Sequence, residues 1–319
     1  MKLKPLLSTT GIFLIHGWAM AANASPPDAV VSPNGDGDYK TVQEAINKAP
    51  QTTTVEKPWI ILVKPGTYKE LISAQREKRF VHLVGEDPQK TVITYGLYAA
   101  MKGPDGLEIG TFRTPTVTID ADDFTVEKLT LENSAGPVGQ ALALRVDGDR
   151  AVFRDCTFLG FQDTILLNRG RQYFQNCTIT GAVDFIFGGA TAFFDHCTLN
   201  CVRDGFITAA STPSETPFGF VFSNCTITTT DPKIKVYLGR PWRPNASTIF
   251  LNTHMPEGIR PEGWHNWNNP EREKTARYSE YNSSGPGANP EKRVSWAHRV
   301  NAEEAAKITV GNVLSGWTP

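Results

Sequence analysis

A short phrase, Phe-x-x-Cys-Thr, occurs four times in the middle of the chain. The four copies are FRDCTFLG, FQNCTITG, FDHCTLNC and FSNCTITT, which begin at Phe153, Phe174, Phe194 and Phe222. The cysteines of successive copies are 21, 20 and 28 residues apart. Within each copy, apolar or small residues alternate with polar ones, as in a β-strand. Strands that repeat every ~20–22 residues without intervening helices are typical of a solenoid with stacked coils.

The rest of the chain agrees with this pattern. Segments rich in Val, Ile, Leu and Phe recur before the phrase, whereas helical patterns are limited to TVQEAINKAP and AEEAAKI. The L-x-x-L-x-L pattern of leucine-rich repeats is absent, and a β-sandwich would not reuse one phrase in this way. We therefore expect an all-β fold, a right-handed parallel β-helix that forms one domain over residues 25–319.

Residues 1–24 have the features of a secretory signal peptide. Lys2 and Lys4 precede an apolar stretch that runs to Met20, and Ala22-Asn23-Ala24 offers a cleavage site before Ser25. No later segment is long and apolar enough to span a membrane. The sequence thus predicts a periplasmic or secreted protein without membrane association after cleavage. A net charge of −1 gives no reason to expect a nucleic-acid partner.

The cysteine content leaves two interpretations open. The total of five is odd, so at least one thiol of an exported protein stays unpaired. The repeat cysteines can be small apolar core residues stacked on one another. Alternatively, Cys177 and Cys197 could form a disulfide, because stacked neighbours lie near disulfide spacing. No Cys or His cluster has metal-ligand spacing, and we expect neither a metal nor a cofactor.

Two acidic residues stand in apolar surroundings at the interval of one coil. Asp163 lies in FQDTILL and Asp184 lies in VDFIFGG, 21 residues later. Stacked coils are ~4.7–4.9 Å apart, so the two carboxyl groups should be neighbours. Two negative charges ~5 Å apart repel each other by roughly 3 kcal/mol at an effective dielectric constant of 20. One carboxyl should keep its proton, which gives one acid and one nucleophile or base. A ladder of turn-capping aspartates is the alternative.

Other polar residues share this spacing. Gln140 and Gln162 are 22 residues apart, and a pair of amide donors suits the oxyanion of acyl transfer. Either glutamine could instead belong to a turn ladder.

Arg240, between Gly and Pro in YLGRPWRP, could bind a carboxylate in bidentate fashion. Trp264 and Trp267, in GWHNW, could stack on sugar rings or cap the β-helix.

Seven phrases together resemble the pectin methylesterases, a family of carbohydrate esterases. They are TFRT, GQALALRV, GFQDT, VDFIFGGA, YLGRPW, GWHNW and SSGPGANPEKRVSW, and they follow in family order from about residue 30 to the end. The resemblance implies a right-handed parallel β-helix that acts as a monomer without a cofactor. It also implies hydrolysis of the methyl esters of homogalacturonan to pectate and methanol, as in pectin degradation and cell wall modification.

The resemblance assigns roles that spacing leaves open. It implies that Asp184 is the nucleophile and that Asp163 is the general acid and later the base. It implies that Gln140 and Gln162 form the oxyanion hole, and that Arg240 lowers the pKa of Asp184. The implied aromatic residues of the substrate groove are Phe112, Phe187, Tyr237, Trp242 and Trp264. The chain departs from the family at Leu166, where many members have an aromatic residue.

Other functions remain open at this point. A related β-helix hydrolase could act on a non-pectin ester or thioester, and a non-catalytic β-helix could bind pectin without turnover. A pectate lyase would need a calcium site of clustered acids. A polygalacturonase would yield reducing ends without methanol.

Overall fold

The computed structural model describes residues 26–319, so the expected signal peptide of residues 1–24 lies outside the described part. Helices are short. The α-helices are α1 (Val42–Lys48), α2 (Ala302–Lys307) and α3 (Val310–Val313), and 3-10 turns occupy Thr111–Arg113, Pro270–Lys274 and Pro290–Lys292. Caps fix the two longer α-helices: the side chains of Thr41 and Asn301 accept hydrogen bonds from backbone N–H groups of the first turn.

Strands are the main regular secondary structure of the described chain. They are β1 (Ala29–Val31), β2 (Trp59–Val63), β3 (Gly66–Lys69), β4 (Ile72–Ala74), β5 (Val81–Gly85), β6 (Thr91–Tyr95), β7 (Val117–Ile119), β8 (Thr125–Glu127), β9 (Thr130–Asn133), β10 (Leu144–Val146), β11 (Ala151–Arg154), β12 (Thr157–Leu159), β13 (Ile165–Leu167), β14 (Arg171–Gln175), β15 (Thr178–Gly188), β16 (Thr191–Asp195), β17 (Thr198–Ala210), β18 (Phe220–Ser223), β19 (Thr226–Thr229), β20 (Val236–Gly239), β21 (Ser247–Leu251), β22 (Arg277–Tyr281) and β23 (His298–Arg299).

Every pair of neighbouring strands is parallel and belongs to adjacent coils. One sheet has the order β1-β2-β5-β8-β11-β14-β16-β18-β21-β22-β23. The second sheet contains two further faces, which the long strands β15 and β17 join because each runs continuously through both. This is a right-handed parallel β-helix, as the repeats predict.

The repeated phrase spans a corner of the β-helix rather than a single strand. Its phenylalanines are the last residue but one of strands in the first sheet, and its threonines begin strands of the second. Phe153, Phe174, Phe194, Phe222 and Phe250 form an internal stack with ring centres 4.4–4.7 Å apart. Such stacked rings bury large apolar areas and fix the register between coils.

Left-handed residues turn the chain at that corner. Asp155, Asn176, His196 and Asn224 have φ values of 52°, 54°, 52° and 55°. Asn, Asp and His adopt this conformation more often than other non-glycine residues, which explains why one of them precedes each of the four repeat cysteines. Asn176 donates a hydrogen bond of 3.3 Å to Asp155 in the preceding coil, so the side chains at this corner are also linked between coils.

All five cysteines are buried and free. The thiols of the repeat cysteines donate to backbone carbonyl oxygens; Cys177, for example, donates to the carbonyl of Phe153. Core packing is therefore the arrangement that the structure adopts, and the possible Cys177–Cys197 disulfide is not formed.

Candidate active site

Asp163 and Asp184 lie side by side on adjacent coils. Gln162 pairs with Val183, and Ile165 pairs with Ile186, so Asp163 in one coil faces Asp184 in the next. The backbone N–H of Asp163 donates to the carbonyl of Val183 at 3.0 Å. Both carboxyl groups are buried, with residue exposures of 8% and 5%.

Both aspartates also have unusual backbone conformations. Their φ values are 63° and 50°, and the register of β15 against β17 shifts between Val183 and Ile186. A left-handed non-glycine residue costs roughly 1–2 kcal/mol, and a bulge redirects the side chains of a strand. The site therefore contains backbone strain at the positions that carry its two acids.

Arg240 binds one of the two carboxylates in a bidentate manner. Its Nε donates to Oδ1 of Asp184 at 2.9 Å, and its Nη2 donates to Oδ2 at 2.7 Å. Gly239, the last residue of β20, directly precedes Arg240 and pairs with Thr208 of β17. A Cβ atom at Gly239 would lie 2.0 Å from Oγ1 of Thr208, so a glycine is needed for the close approach of the two strands that places Arg240 beside Asp184. Pro241 follows and restricts the backbone on the other side. Asp163 makes no side-chain hydrogen bond within residues 26–319.

The environment gives the two carboxyl groups different proton affinities. Burial raises the pKa of Asp163 to about 8, the negative charge of Asp184 adds to the rise, and Arg240 opposes it. Burial also raises the pKa of Asp184, while the hydrogen bonds and charge of Arg240 lower it. The expected effect of Arg240 on the Asp184 pKa is thus present, but burial outweighs it. Asp163 is the member of the pair that is protonated at neutral pH.

Two amides lie next to the acids. Gln140 pairs with Gln162 across adjacent coils, and the N–H of Ala141 donates to the carbonyl of Gln162 at 3.1 Å. Neither side-chain amide makes a hydrogen bond with another described residue. Both amides are therefore free to donate to a ligand oxygen, which is the arrangement that an oxyanion hole requires.

A cavity of about 290 Å³ brings these groups together. Its lining consists of Thr111, Phe112, Gln140, Gln162, Asp163, Asp184, Phe187, Ala209, Arg240, Trp242 and Trp267. All five expected catalytic residues and three of the expected groove aromatics are among them. Phe112 is 52% exposed on its 3-10 turn, and Phe187 contacts Trp242 edge to face.

The prediction for Trp264 is wrong. Trp264 is 1% exposed and packs in the core against Phe250 and Tyr278. It pairs with Gly239 in the stack of coils, so its side chain fills the interior. Trp267, three residues later, lines the cavity instead. The phrase GWHNW contains both tryptophans, and only the register of the coils distinguishes them.

Tyr237 also differs from expectation. Tyr237 stacks on Phe206 with ring centres 5.3 Å apart, and neither ring lines the cavity. Leu166 is 1% exposed and packs beneath the groove against Phe187 and Trp242. Phe206 has no recognisable signal in the sequence, because its phrase RDGFITAA resembles any strand.

A larger cleft of about 370 Å³ has no comparable chemistry. Its acids include Asp147 and Asp149, which pair with Arg145 and Arg171 at 2.6 Å and 2.5 Å. Within residues 26–319, no three His, Cys, Asp or Glu residues are placed to hold a metal ion. In the same range, no helix is long and apolar enough to cross a membrane.

Comparison with known proteins gives a consistent result. The family model described as pectinesterase matches residues 28–317. Pectinesterase 31 of Arabidopsis thaliana is 40% identical over 281 residues, which cover 86% of this chain and 88% of that protein. Some relatives whose names join pectinesterase with pectinesterase inhibitor are longer, and the chain spans 41% of one and 54% of another.

Solved structures agree in fold. The pectin methylesterase from carrot superposes with a TM-score of 0.85 at 30% identity, covering 92% of this chain and 95% of that one. A pectin methylesterase in complex with a hexasaccharide superposes with a TM-score of 0.81 at 33% identity, covering 93% and 99%.

Proposed function

The chain belongs to the pectinesterase family and hydrolyses the methyl esters of pectin, and from this premise we propose how its own residues carry out the reaction. Asp184 is the nucleophile. Its carboxylate attacks the ester carbonyl carbon of a galacturonate unit, and the carbonyl π electrons move onto the oxygen. The bidentate contact with Arg240 supports this assignment, because it holds Asp184 ionised and in one orientation.

Gln140 and Gln162 stabilise the negative oxygen of the tetrahedral intermediate through their amide N–H groups. Asp163 then gives its proton to the methoxy oxygen as the C–O bond breaks, and methanol leaves. Its raised pKa of about 8 suits this task, since a general acid must hold its proton at the working pH. The product of this half-reaction is an anhydride between the substrate carboxyl and Asp184.

Water completes the cycle. Asp163, now ionised, takes a proton from a water molecule as the water oxygen attacks the anhydride carbonyl. The bond to the Asp184 oxygen breaks, which frees the galacturonate carboxylic acid and restores the Asp184 carboxylate. Asp163 is protonated again and ready for the next ester.

The division of roles rests on one observation: Arg240 contacts Asp184 and makes no hydrogen bond to Asp163. The test is methanol release from methylated pectin in the presence of EDTA. We expect Asp184→Asn and Asp163→Asn to lower kcat by at least about 10³-fold, consistent with the loss of a nucleophile or a general acid. Asp155→Asn is the matched control, because Asp155 is an exposed aspartate that also has a left-handed φ. Near-normal turnover by Asp184→Asn would remove the nucleophile assignment.

We also propose that the aromatic residues of the groove bind several linked sugar units of the substrate. Phe112, Phe187, Trp242 and Trp267 offer ring faces or edges that pack against sugar rings. The hexasaccharide complex of a similar enzyme supports binding of several linked galacturonate units. Binding of a methylated hexagalacturonate by Asp184→Asn, measured by calorimetry, tests this; a methyl galacturonate monomer should bind far more weakly.

We further propose that residues 25–319 act as one monomeric catalytic domain outside the cytoplasm. The signal-like sequence of residues 1–24 and a cell-wall substrate support this. Expression with the full N-terminus should give an exported protein that begins at Ser25 and has the mass of one chain in light scattering. An uncleaved intracellular protein or a dimer would contradict it.

A further inference from the structure

Arg240 has contacts on both faces of its guanidinium group as well as at its edge. The guanidinium carbon lies 3.8 Å from the ring centre of Phe206 and 3.8 Å from the ring centre of Trp267. The planar group therefore lies between two aromatic rings while its edge binds Asp184. Ring contacts this short are closer than the ~6 Å that defines a cation–π interaction.

We propose that Phe206 is a positioning residue of the esterase, which acts on the nucleophile Asp184 by fixing the plane of the Arg240 guanidinium. This inference rests on the roles proposed above for Asp184 and Arg240. An arginine side chain has about 2 kcal/mol of rotamer entropy to lose, and a bidentate contact needs one orientation. Rings on both faces remove the alternative orientations before substrate binds.

Phe206 can be separated from substrate binding, whereas Trp267 cannot. Trp267 lines the cavity, so its replacement would also remove a contact with the sugar. Phe206 is not part of the lining. It is held from the next coil by Tyr237, whose ring is stacked on it at 5.3 Å with 9° between the planes. The strand register of Val183, Phe206 and Tyr237 brings this stack to the level of the catalytic acids.

The charged and titratable groups around Arg240 are few. Asp184 pairs with it, and Asp163 is close enough for Arg240 to lower its pKa. His265 packs edge-on against Phe206, and burial together with Arg240 lowers its pKa. Arg272 stands 5.6 Å from the ring of Trp267. Of these groups, only Asp184 makes a direct hydrogen bond with Arg240, so loosening Arg240 acts first on Asp184.

The test compares Phe206→Leu, which keeps an apolar side chain, with Phe206→Tyr, which keeps the ring. A cation–π contact of ~1 kcal/mol corresponds to about a fivefold change in rate. We therefore expect Phe206→Leu to lower kcat about fivefold and leave KM within twofold. Weaker pairing of Asp184 should raise the pKa of the acidic limb of kcat/KM by about half a unit to one unit. Phe206→Tyr should behave like the wild type. Circular dichroism and urea unfolding check that each variant folds.

A double-mutant cycle with Arg240→Gln separates this role from general support of the fold. If Phe206 acts through Arg240, Phe206→Leu should have less than a twofold further effect on kcat in the Arg240→Gln background. An equal fivefold loss in both backgrounds, a raised KM, or an unmoved acidic limb would overturn the inference. If Arg240→Gln itself leaves activity intact, the proposed catalytic roles fail instead.

Discussion

Replacement of Asp163 by asparagine should stabilise the protein, and the gain should grow with pH. Asp163 has a pKa of about 8 in the folded chain, chiefly because it is buried, and ~3.9 in an unfolded chain. The folded state therefore binds this proton more tightly than the unfolded state does. The free energy of unfolding falls as pH rises from the unfolded pKa through the folded pKa. The reason is that Asp163 ionises readily in the unfolded chain in this range, whereas the folded chain keeps the proton.

At a pH between the two pKa values, the size of the effect follows from the distance between the unfolded pKa and that pH. Each unit is worth ~1.36 kcal/mol, and about three units separate the unfolded pKa from pH 7. The unfavourable contribution of Asp163 is thus about 4 kcal/mol at pH 7 and below ~1 kcal/mol at pH 4. Asparagine is nearly the same shape, tolerates the left-handed φ of 63° and carries no charge.

The assay is urea unfolding followed by tryptophan fluorescence at pH 4, 5.5 and 7, with the slope against urea checked for constancy. We expect the free energy of unfolding of Asp163→Asn to exceed that of the wild type by several kcal/mol at pH 7 and by little at pH 4. Asp155→Asn, at an exposed turn, should change little at any pH. A difference between Asp163→Asn and the wild type that does not vary with pH would refute the reasoning, as would a less stable variant at pH 7.

Three other outcomes follow from the site. Because Asp163 must be protonated to release methanol, kcat/KM should fall as pH rises above about 8, and a plateau well beyond that pH would contradict its role as the acid. Arg240→Lys should lower kcat by about 10-fold or more because lysine cannot make the bidentate contact; kinetics equal to the wild type would show that a single charge is enough. Trp264→Ala should destabilise the fold by ~3–5 kcal/mol in urea unfolding, whereas Trp267→Ala should leave stability nearly unchanged and impair pectin hydrolysis. The reverse pattern would indicate that Trp264, and not Trp267, contacts the substrate.

The sequence predicts the β-helix well because its signal is the interval between repeats. One coil of a solenoid has a nearly constant length, so residues one interval apart become neighbours whatever the loops do. This is why the pairings of Asp163 with Asp184 and of Gln140 with Gln162 could be expected. The same argument could not locate the left-handed φ values of the two aspartates, since a bulge in β15 depends on contacts with β17.

The tryptophan error has a different cause. GWHNW lies after the last regular copy of the repeat. The spacing of the repeats therefore does not predict which of its side chains face inward. Trp264 is buried because it pairs with Gly239, a partner 25 residues earlier in a phrase of unrelated letters. The position of the Phe206 ring beside Arg240 is hard to predict for a similar reason. It depends on β17 and β20 lying in register, and alternation within a single strand gives no such information.

The central claim is that neighbouring coils hold one carboxyl neutral and the other ionised at pH 7. Carbon NMR of protein labelled at the aspartate Cγ, assigned with Asp163→Asn and Asp184→Asn, observes both groups directly. The resonance that disappears in Asp163→Asn should keep its protonated shift at pH 7 and titrate near pH 8, while the Asp184 resonance is already ionised. Two carboxyl groups that are both fully ionised by pH 5 would contradict the account.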